Sequence, residues 1–477
     1  MGVDLPFELW RPILQDVYAT ETKISHPPSD YILSKLHSKL NIYRCLASVS
    51  RSWRSNARDV FIEDLQVYTI EALRGLVKMF RQNRQFALGV SRLEFSFAEF
   101  RCSASVPRKP RPLAPEERPT ERIAAPASRG LSDNPFPNAY TPDWKTIHRR
   151  DALGYRPSST AQARHWSLWQ GDVAELLGMC SSLSDVTINF TSRRGFNPGL
   201  QFHRIMQWFP PPDLTNSRIA EGLSQSTNLR TLILVDPTPI EVFGPTFGGW
   251  QRLKALSITL TRSFEELAEA TFIPPKSLIS LRFHDRSSGK ISWPLSSDMG
   301  KCTNLRILDL GLAAPNSITM KAIAFLCNTY QHSLQVLILR VFGGTEEIIT
   351  FQDVLQSSSL HFNNLKRLHL PHASYDTSLF ASFKADSLKT VEVGWLTVQP
   401  GTGTREEKWS RGLSHPSLQK LSQLIINSED PDPLRKHAMK SVCESLGIKL
   451  GMGYSMVGTR HDPNDDFDID PEDSLEY

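Results

Sequence analysis

Imidazoles at short spacing can hold a metal ion, and His361, His369 and His372 stand close together in this chain. They straddle a leucine-rich strand and the turn after it, so a shared metal is not expected. "DPNDDFDIDPED" (462–473) has carboxylates spaced somewhat like a calcium loop, but Phe467 stands where the central glycine is needed. It reads as part of an acidic tail. "GTGTRE" (401–406) lacks the third glycine of a dinucleotide loop, and "GYSMVG" (453–458) has Val457 where a nucleophile elbow needs glycine. Both read as loops. Neither a GxxxxGK phosphate loop nor an HExxH metal helix occurs. The six cysteines (Cys45, Cys102, Cys180, Cys302, Cys327, Cys443) form no CxxC pair, so they read as buried thiols. No catalytic residue, metal or cofactor is expected, and the chain reads as a non-enzyme. The remaining chemistry lies in charged residues inside leucine-rich segments: Arg282, His284, Asp309, Arg340, Arg367, His369 and Glu392.

Those residues belong to a repeated pattern. "LSDVTINF", "LRTLILVD", "LKALSITL", "LISLRFHD", "LRILDLGL", "LQVLILRV", "LKRLHLPH", "LKTVEVGW" and "LSQLIINS" all read apolar-x-x-apolar-x-apolar, and "VSRLEF" from Val90 fits too. Most neighbours are about 23 to 33 residues apart, the range of leucine-rich repeats. Helical segments such as "ITMKAIAFLCNTY" and "TFQDVLQSS" lie between them. No single unit can bury its apolar face alone, so the units are expected to stack into a curved solenoid. The other reading is an ordinary α/β sheet with leucine-rich strands. The usual asparagine after the strand is mostly missing, so the arc is expected to be irregular. Strand residues between the inward apolar positions would line the concave face. Among the seven charged residues the middle units are cationic, and Arg offers a planar donor fork to carboxylate or phosphate. The face is then either a surface for an acidic or phosphorylated segment, or a solvated polar face.

Ahead of the strand "VSRLEFSF", the N-terminal residues read as helices. Leu9, Trp10, Ile13, Leu14 and Val17 follow helical spacing, with Pro6 in the first turn and Glu8 near the positive end of the helix dipole. Pro12 interrupts this helix, because an interior proline loses a hydrogen bond. A second helix runs from about Asp30 to Asn41. A third carries Leu46, Val49 and Trp53 on one face and Arg51, Arg54 and Arg58 on the other. "TIEALRGLVKMFRQN" is amphipathic through Leu73, Leu76, Val77 and Phe80. Residues 101–164 are rich in Pro, Arg and Ser and show no sustained period, the pattern of a disordered insertion. Residues 451–477 read as an acidic disordered tail. The net charge of +4 thus conceals a basic linker and an acidic end. No run of some 18 apolar residues is present, so no membrane segment is expected, and the N-terminus lacks the pattern of a secretory signal. Cytoplasm or nucleus is the expected compartment. The linker has few interleaved aromatics, so nucleic acid is not the expected partner.

"LPFELWRPIL" followed by "LASVSRSWR" resembles the F-box: a Leu-Pro-x-Glu-Leu opening, an Ile-Leu pair, then Val-Ser-Arg-x-Trp. The matching positions are Leu5, Pro6, Glu8, Leu9, Ile13, Leu14, Val49, Ser50, Arg51 and Trp53. With leucine-rich repeats behind it, the chain resembles the F-box-like proteins of fungi. The resemblance implies that these residues, with Leu46, bind a Skp-type adaptor and through it a cullin ubiquitin ligase, while the repeats bind an unidentified target protein. It implies an α/β chain with a small helical F-box at 1–65, a first helix–strand unit at 66–100, the insertion at 101–164, a repeat solenoid at 165–450 and the tail. Two features depart from the family pattern. Pro12 stands where a good helix former is usual, and "ATETKISHPPSDYILSKLHSK" lengthens the gap between the motif halves. They leave an alternative open, a leucine-rich interaction scaffold whose F-box-like head does not dock.

Overall fold

A Leu-x-x-Leu-x-Leu segment puts its second and third leucines two residues apart, on one face of a strand, and its first leucine in the turn before it. The computed structural model describes residue 45 and residues 51–67, 70–96, 159–190, 217–235, 249–260, 275–285, 302–312, 317–341, 351–355, 360–397, 403–427 and 433–452. In it, each of these segments is a strand. The first strand is β1 (Asp64–Val67), followed by β2 (Arg92–Ser96), β3 (Asp185–Asn189), β4 (Thr231–Val235), β5 (Ala255–Leu260) and β6 (Ser280–Asp285). Then come β7 (Ile307–Leu312), β8 (Val336–Val341), β9 (His361–Phe362), β10 (Arg367–Asp376), β11 (Lys384–Ala385), β12 (Thr390–Thr397), β13 (Gln423–Ile426) and β14 (Lys449–Met452).

Twelve of these strands form one sheet in the order β1-β2-β3-β4-β5-β6-β7-β8-β10-β12-β13-β14, while β9 and β11 pair separately. Every pairing within the sheet is parallel. Register follows the leucines. The row Leu65, Leu93, Val186, Leu232, Leu256, Leu281, Leu308, Leu337, Leu368, Val391, Leu424, Leu450 crosses the sheet without a break. The helices lie over this apolar face. They are α1 (Arg51–Glu63), α2 (Ile70–Gln82), α3 (Arg84–Leu88), α4 (Ser159–Met179), α5 (Ser217–Ser224), α6 (Ser317–Tyr330), α7 (Gln352–Leu355), α8 (Leu379–Ser382), α9 (Arg405–Leu413) and α10 (Pro433–Ser445). Leu73, Val77 and Phe80 of α2, Val173 and Leu176 of α4, Ile219 and Leu223 of α5 and Ile323 and Leu326 of α6 join the strand leucines in one apolar cluster.

Successive units are joined at the leading edge of the strands by a repeated backbone device. From β2 to β12 along the sheet, the carbonyl of the residue before the strand accepts two N–H groups from the next unit. Lys254 O takes Ile279 N (2.8 Å) and Ser280 N (2.9 Å), and Ile279 O takes Arg306 N (2.8 Å) and Ile307 N (3.0 Å). Arg306, Gln335, Lys366 and Lys389 continue the series. A polar side chain next to the turn leucine adds a second tie. Asn364 Nδ2 donates to His332 O (2.7 Å), Ser277 Oγ to Leu253 O (2.8 Å), Ser387 Oγ to Asn363 O (3.0 Å) and Asn228 Nδ2 to Ser181 O (3.2 Å). The asparagine missed after the strand is thus partly supplied before it, as "TNL" and "NNL".

Several expected boundaries shift. The sheet begins at Asp64, inside the segment expected to be helical head, because Leu65 and Val67 alternate inward. Helix α4 begins at Ser159, so the last residues of the expected 101–164 insertion are helical. The fold runs to Met452 in β14, two residues into the expected tail. The rest of 101–164 and of the tail lies outside the described residues. On either side of that insertion the sheet is continuous: β2 pairs with β3, and Arg81 on α2 forms a two-armed pair with Glu175 on α4, at 2.5 and 2.6 Å. "GTGTRE" is not merely a loop. Gly403 has a φ of 99° and Thr404 starts α9 with a capping box, its Oγ1 accepting from Glu407 N (3.2 Å) while Glu407 Oε2 accepts from Thr404 N (3.0 Å). Among the described residues no helix is long and apolar enough to cross a membrane.

Candidate functional site

Residues between the inward leucines point to the opposite face of the sheet. There the register aligns Ser257, Arg282, Asp309, Ile338, His369, Glu392 and Ile425 in one row. The next row on that face runs Thr259, His284, Gly311, Arg340. Six of the seven charged residues singled out from the sequence therefore share one patch. Arg367 belongs to another row, at the start of β10 beside Val336 and Thr390.

Asp309 is the hub. Its carboxylate accepts from Arg282 Nε (2.9 Å) and from Arg340 Nε (3.2 Å), with a second, longer contact from the Arg340 guanidinium (3.5 Å). His284 Nε2 lies 3.0 Å from it. Gly311 explains the convergence: it stands between His284 and Arg340 and places no side chain between them, so both reach Asp309. Farther along, His369 Nδ1 lies 2.6 Å from Glu392, whose other oxygen accepts a short hydrogen bond from Asn427.

This face is not open. All six residues of β5 and five of six in β6 and in β7 are buried, so both faces are covered there. Arg340 is 2% exposed and Asp309 1%. Burial alone would raise the Asp309 carboxyl, but His284, Arg340 and Arg282 outweigh it and hold the group well below the usual carboxylate range. Burial lowers His284, and the cationic charge of Arg282 and Arg340 works in the same direction against the pull of Asp309. Glu392 is raised by burial but held lower, on balance, by His369 and Asn427.

An open cationic surface is therefore not what these residues form. Arg282 and Arg340 turn inward to a shared carboxylate, because a buried guanidinium without a counter-charge costs several kcal/mol. His369 is half-buried, and of the seven only Arg367 is exposed. The arrangement fits an internal ionic clamp that ties β6, β7 and β8 together. An ionised carboxylate held by two guanidiniums is poorly suited to proton transfer.

The three histidines go separate ways. His361 lies 3.0 Å from Asp386, His369 pairs with Glu392, and the side chain of His372 is outside the description. Among the described residues no group of three or more metal-ligating side chains occurs. Cys180, Cys302, Cys327 and Cys443 are buried and Cys45 is exposed, while Cys102 lies outside the described residues. Burial pushes the thiols of Cys180, Cys302 and Cys327 up to about 12.

Of the residues matched to the F-box, Leu5, Pro6, Glu8, Leu9, Ile13, Leu14, Leu46, Val49 and Ser50 lie outside the described residues. Arg51 and Trp53 stand in the first turn of α1, and only their backbone is described. Later in α1, Arg58 stacks over the ring of Phe86 in α3 at 4.6 Å.

A second feature, with no direct signal in the residue pattern, lies at the leading edge of the strands. A groove of about 140 Å³ there is lined by Arg306, Ile307, Val336, Lys366, Arg367 and Lys389 among others. Arg367 and Lys389 are exposed, Arg306 and Lys366 half-buried. Against models of known protein families the chain finds no match, and no curated protein matches it.

Proposed function

We propose that this chain is a protein-binding receptor: a leucine-rich-repeat solenoid that holds a target protein, behind an F-box-type head that docks a Skp-type adaptor of a cullin ubiquitin ligase. The observation that carries the solenoid half is the sheet order. Strands that follow one another in the chain also neighbour one another, all parallel, so each unit stacks on the one before it. The head half rests on the paired motifs around Leu9 and Val49. In this reading the chain performs no chemistry. It tethers the target beside the ligase subunits and raises its effective concentration there. The interaction scaffold with a non-docking head remains the second reading, because Pro12 falls inside the segment expected to form the first docking helix.

Co-purification of the full chain with a Skp-type adaptor tests the proposal, beside a Leu9→Asp, Leu46→Asp variant. The native chain is expected to retain the adaptor and the variant to lose it. A folded native chain that retains no adaptor removes the ligase role and leaves the scaffold.

A further inference from the structure

The groove at the leading edge differs in kind from the ionic clamp. Arg306, Lys366, Arg367 and Lys389 make no ion pair with a carboxylate among the described residues, whereas Arg282 and Arg340 share Asp309. Arg367 opens β10, while Arg306, Lys366 and Lys389 stand immediately before β7, β10 and β12; Ile307 and Val336 also line the groove. Cations without a carboxylate partner among the described residues, at three of four successive strands, make a linear positive field, and what fits it is a linear anion.

The chain carries one. From Asp462 to Glu476 it has eight acids (Asp462, Asp465, Asp466, Asp468, Asp470, Glu472, Asp473, Glu476) and no Lys or Arg. Asp466, Asp468, Asp470 and Glu472 alternate with Phe467, Ile469 and Pro471. In an extended segment that puts four carboxylates on one face, roughly 7 Å apart. Cations on strands spaced about 4.8 Å apart offer partners at one or two strand steps.

Reach is ample. The described fold ends at Met452 on β14, and five strand steps separate β14 from β7, about 24 Å. Residues 453–477 span up to about 80 Å when extended. Tethering at this range gives an effective concentration on the order of millimolar, so even a weak site would be filled.

We propose that the acidic C-terminal segment Asp462–Glu476 occupies the leading-edge groove of its own chain, held by Arg306, Lys366, Arg367 and Lys389. This proposal does not depend on the ligase reading.

Zero-length carbodiimide coupling of the full chain, mapped by mass spectrometry, tests it. Expected are amide links within one chain from Lys366 or Lys389 to carboxylates of 462–476, lost at high salt. Links spread evenly over exposed lysines such as Lys420, Lys436 and Lys440, or links that join two chains, would overturn it. A second measurement uses a full-length variant with the eight acids changed to Asn or Gln and a labelled peptide of residues 461–477. The neutral variant should bind the peptide at least tenfold more tightly than the native chain, whose groove is filled. Equal binding to both, or binding to neither, sinks the proposal. A Lys366→Gln, Arg367→Gln, Lys389→Gln triple change in the neutral variant should remove that binding and leave the thermal midpoint unchanged.

Discussion

At the residue scale, Asp309→Asn keeps the shape of the side chain and takes away the charge that Arg282 and Arg340 share. Removing one member of a buried ion cluster costs roughly 3–5 kcal/mol. The unfolding free energy from urea titration should fall by that amount, through a lower midpoint at an unchanged slope. Replacing Arg282, Asp309 and Arg340 together with Met, Leu and Met should cost far less, because no charge is then left behind. The pH dependence follows from the same groups. His284 is held below its ordinary 6.5, Glu392 below 4.5 and Asp309 well below 3.8. In each case the unfolded chain takes up protons before the folded one. Stability is therefore fully present above about pH 6.5 and declines as pH falls, first through His284 and then through the two carboxylates. Chemical denaturation from pH 7.5 to 3.5 should show this decline, with a shallower acid limb in Asp309→Asn. That these residues share a face was legible from strand alternation. That Arg340 turns inward was not, because its partner lies 31 positions away and the path to it is opened by Gly311.

At the element scale, α4 and α5 approach until backbone meets backbone. A Cβ on Gly222 would stand 2.8 Å from both the Cα and the carbonyl oxygen of Ala174, neither of which can step aside. Gly222→Leu should cost about 1–3 kcal/mol through forced separation of the helices. Its thermal midpoint should drop while far-UV circular dichroism below the midpoint keeps its native shape. Gly75→Leu on α2, where nothing stands within 4 Å of the new Cβ, serves as the harmless comparison. The central strands were legible because their leucine pattern recurs many times, and recurrence separates signal from chance. Strands β1 and β14 are four residues each and carry the pattern only weakly, in "DLQV" and "KLGM". Their place is fixed by pairing with β2 and β13, and that long-range contact leaves no local mark. The start of α4 was missed for a related reason: "STAQARHW" has no apolar stripe of its own.

At the scale of the whole molecule, the sheet is continuous across residues 97–158, since β2 pairs with β3 over five residues. Replacing residues 101–150 with about 20 residues of Gly and Ser should leave the fold in place. The shorter loop lowers closure entropy by on the order of 1 kcal/mol, so the thermal midpoint should hold or rise slightly. A collapse of the midpoint would mean that the segment packs on the fold. The leading-edge carbonyls have a broader consequence. Thr390 follows its strand neighbour Arg367 by 23 residues, Gln423 follows Thr390 by 33, and Arg92 and Asp185 are neighbours 93 apart. Yet each of these steps across the edge uses the same pair of hydrogen bonds, so each advances by the same strand spacing, about 4.8 Å. The leading edge is thus a ruler whose marks stay fixed however much chain is spliced in at the other end of the strands. Units of very different length therefore meet at that edge with one spacing, and insertions at the far end leave its geometry unchanged.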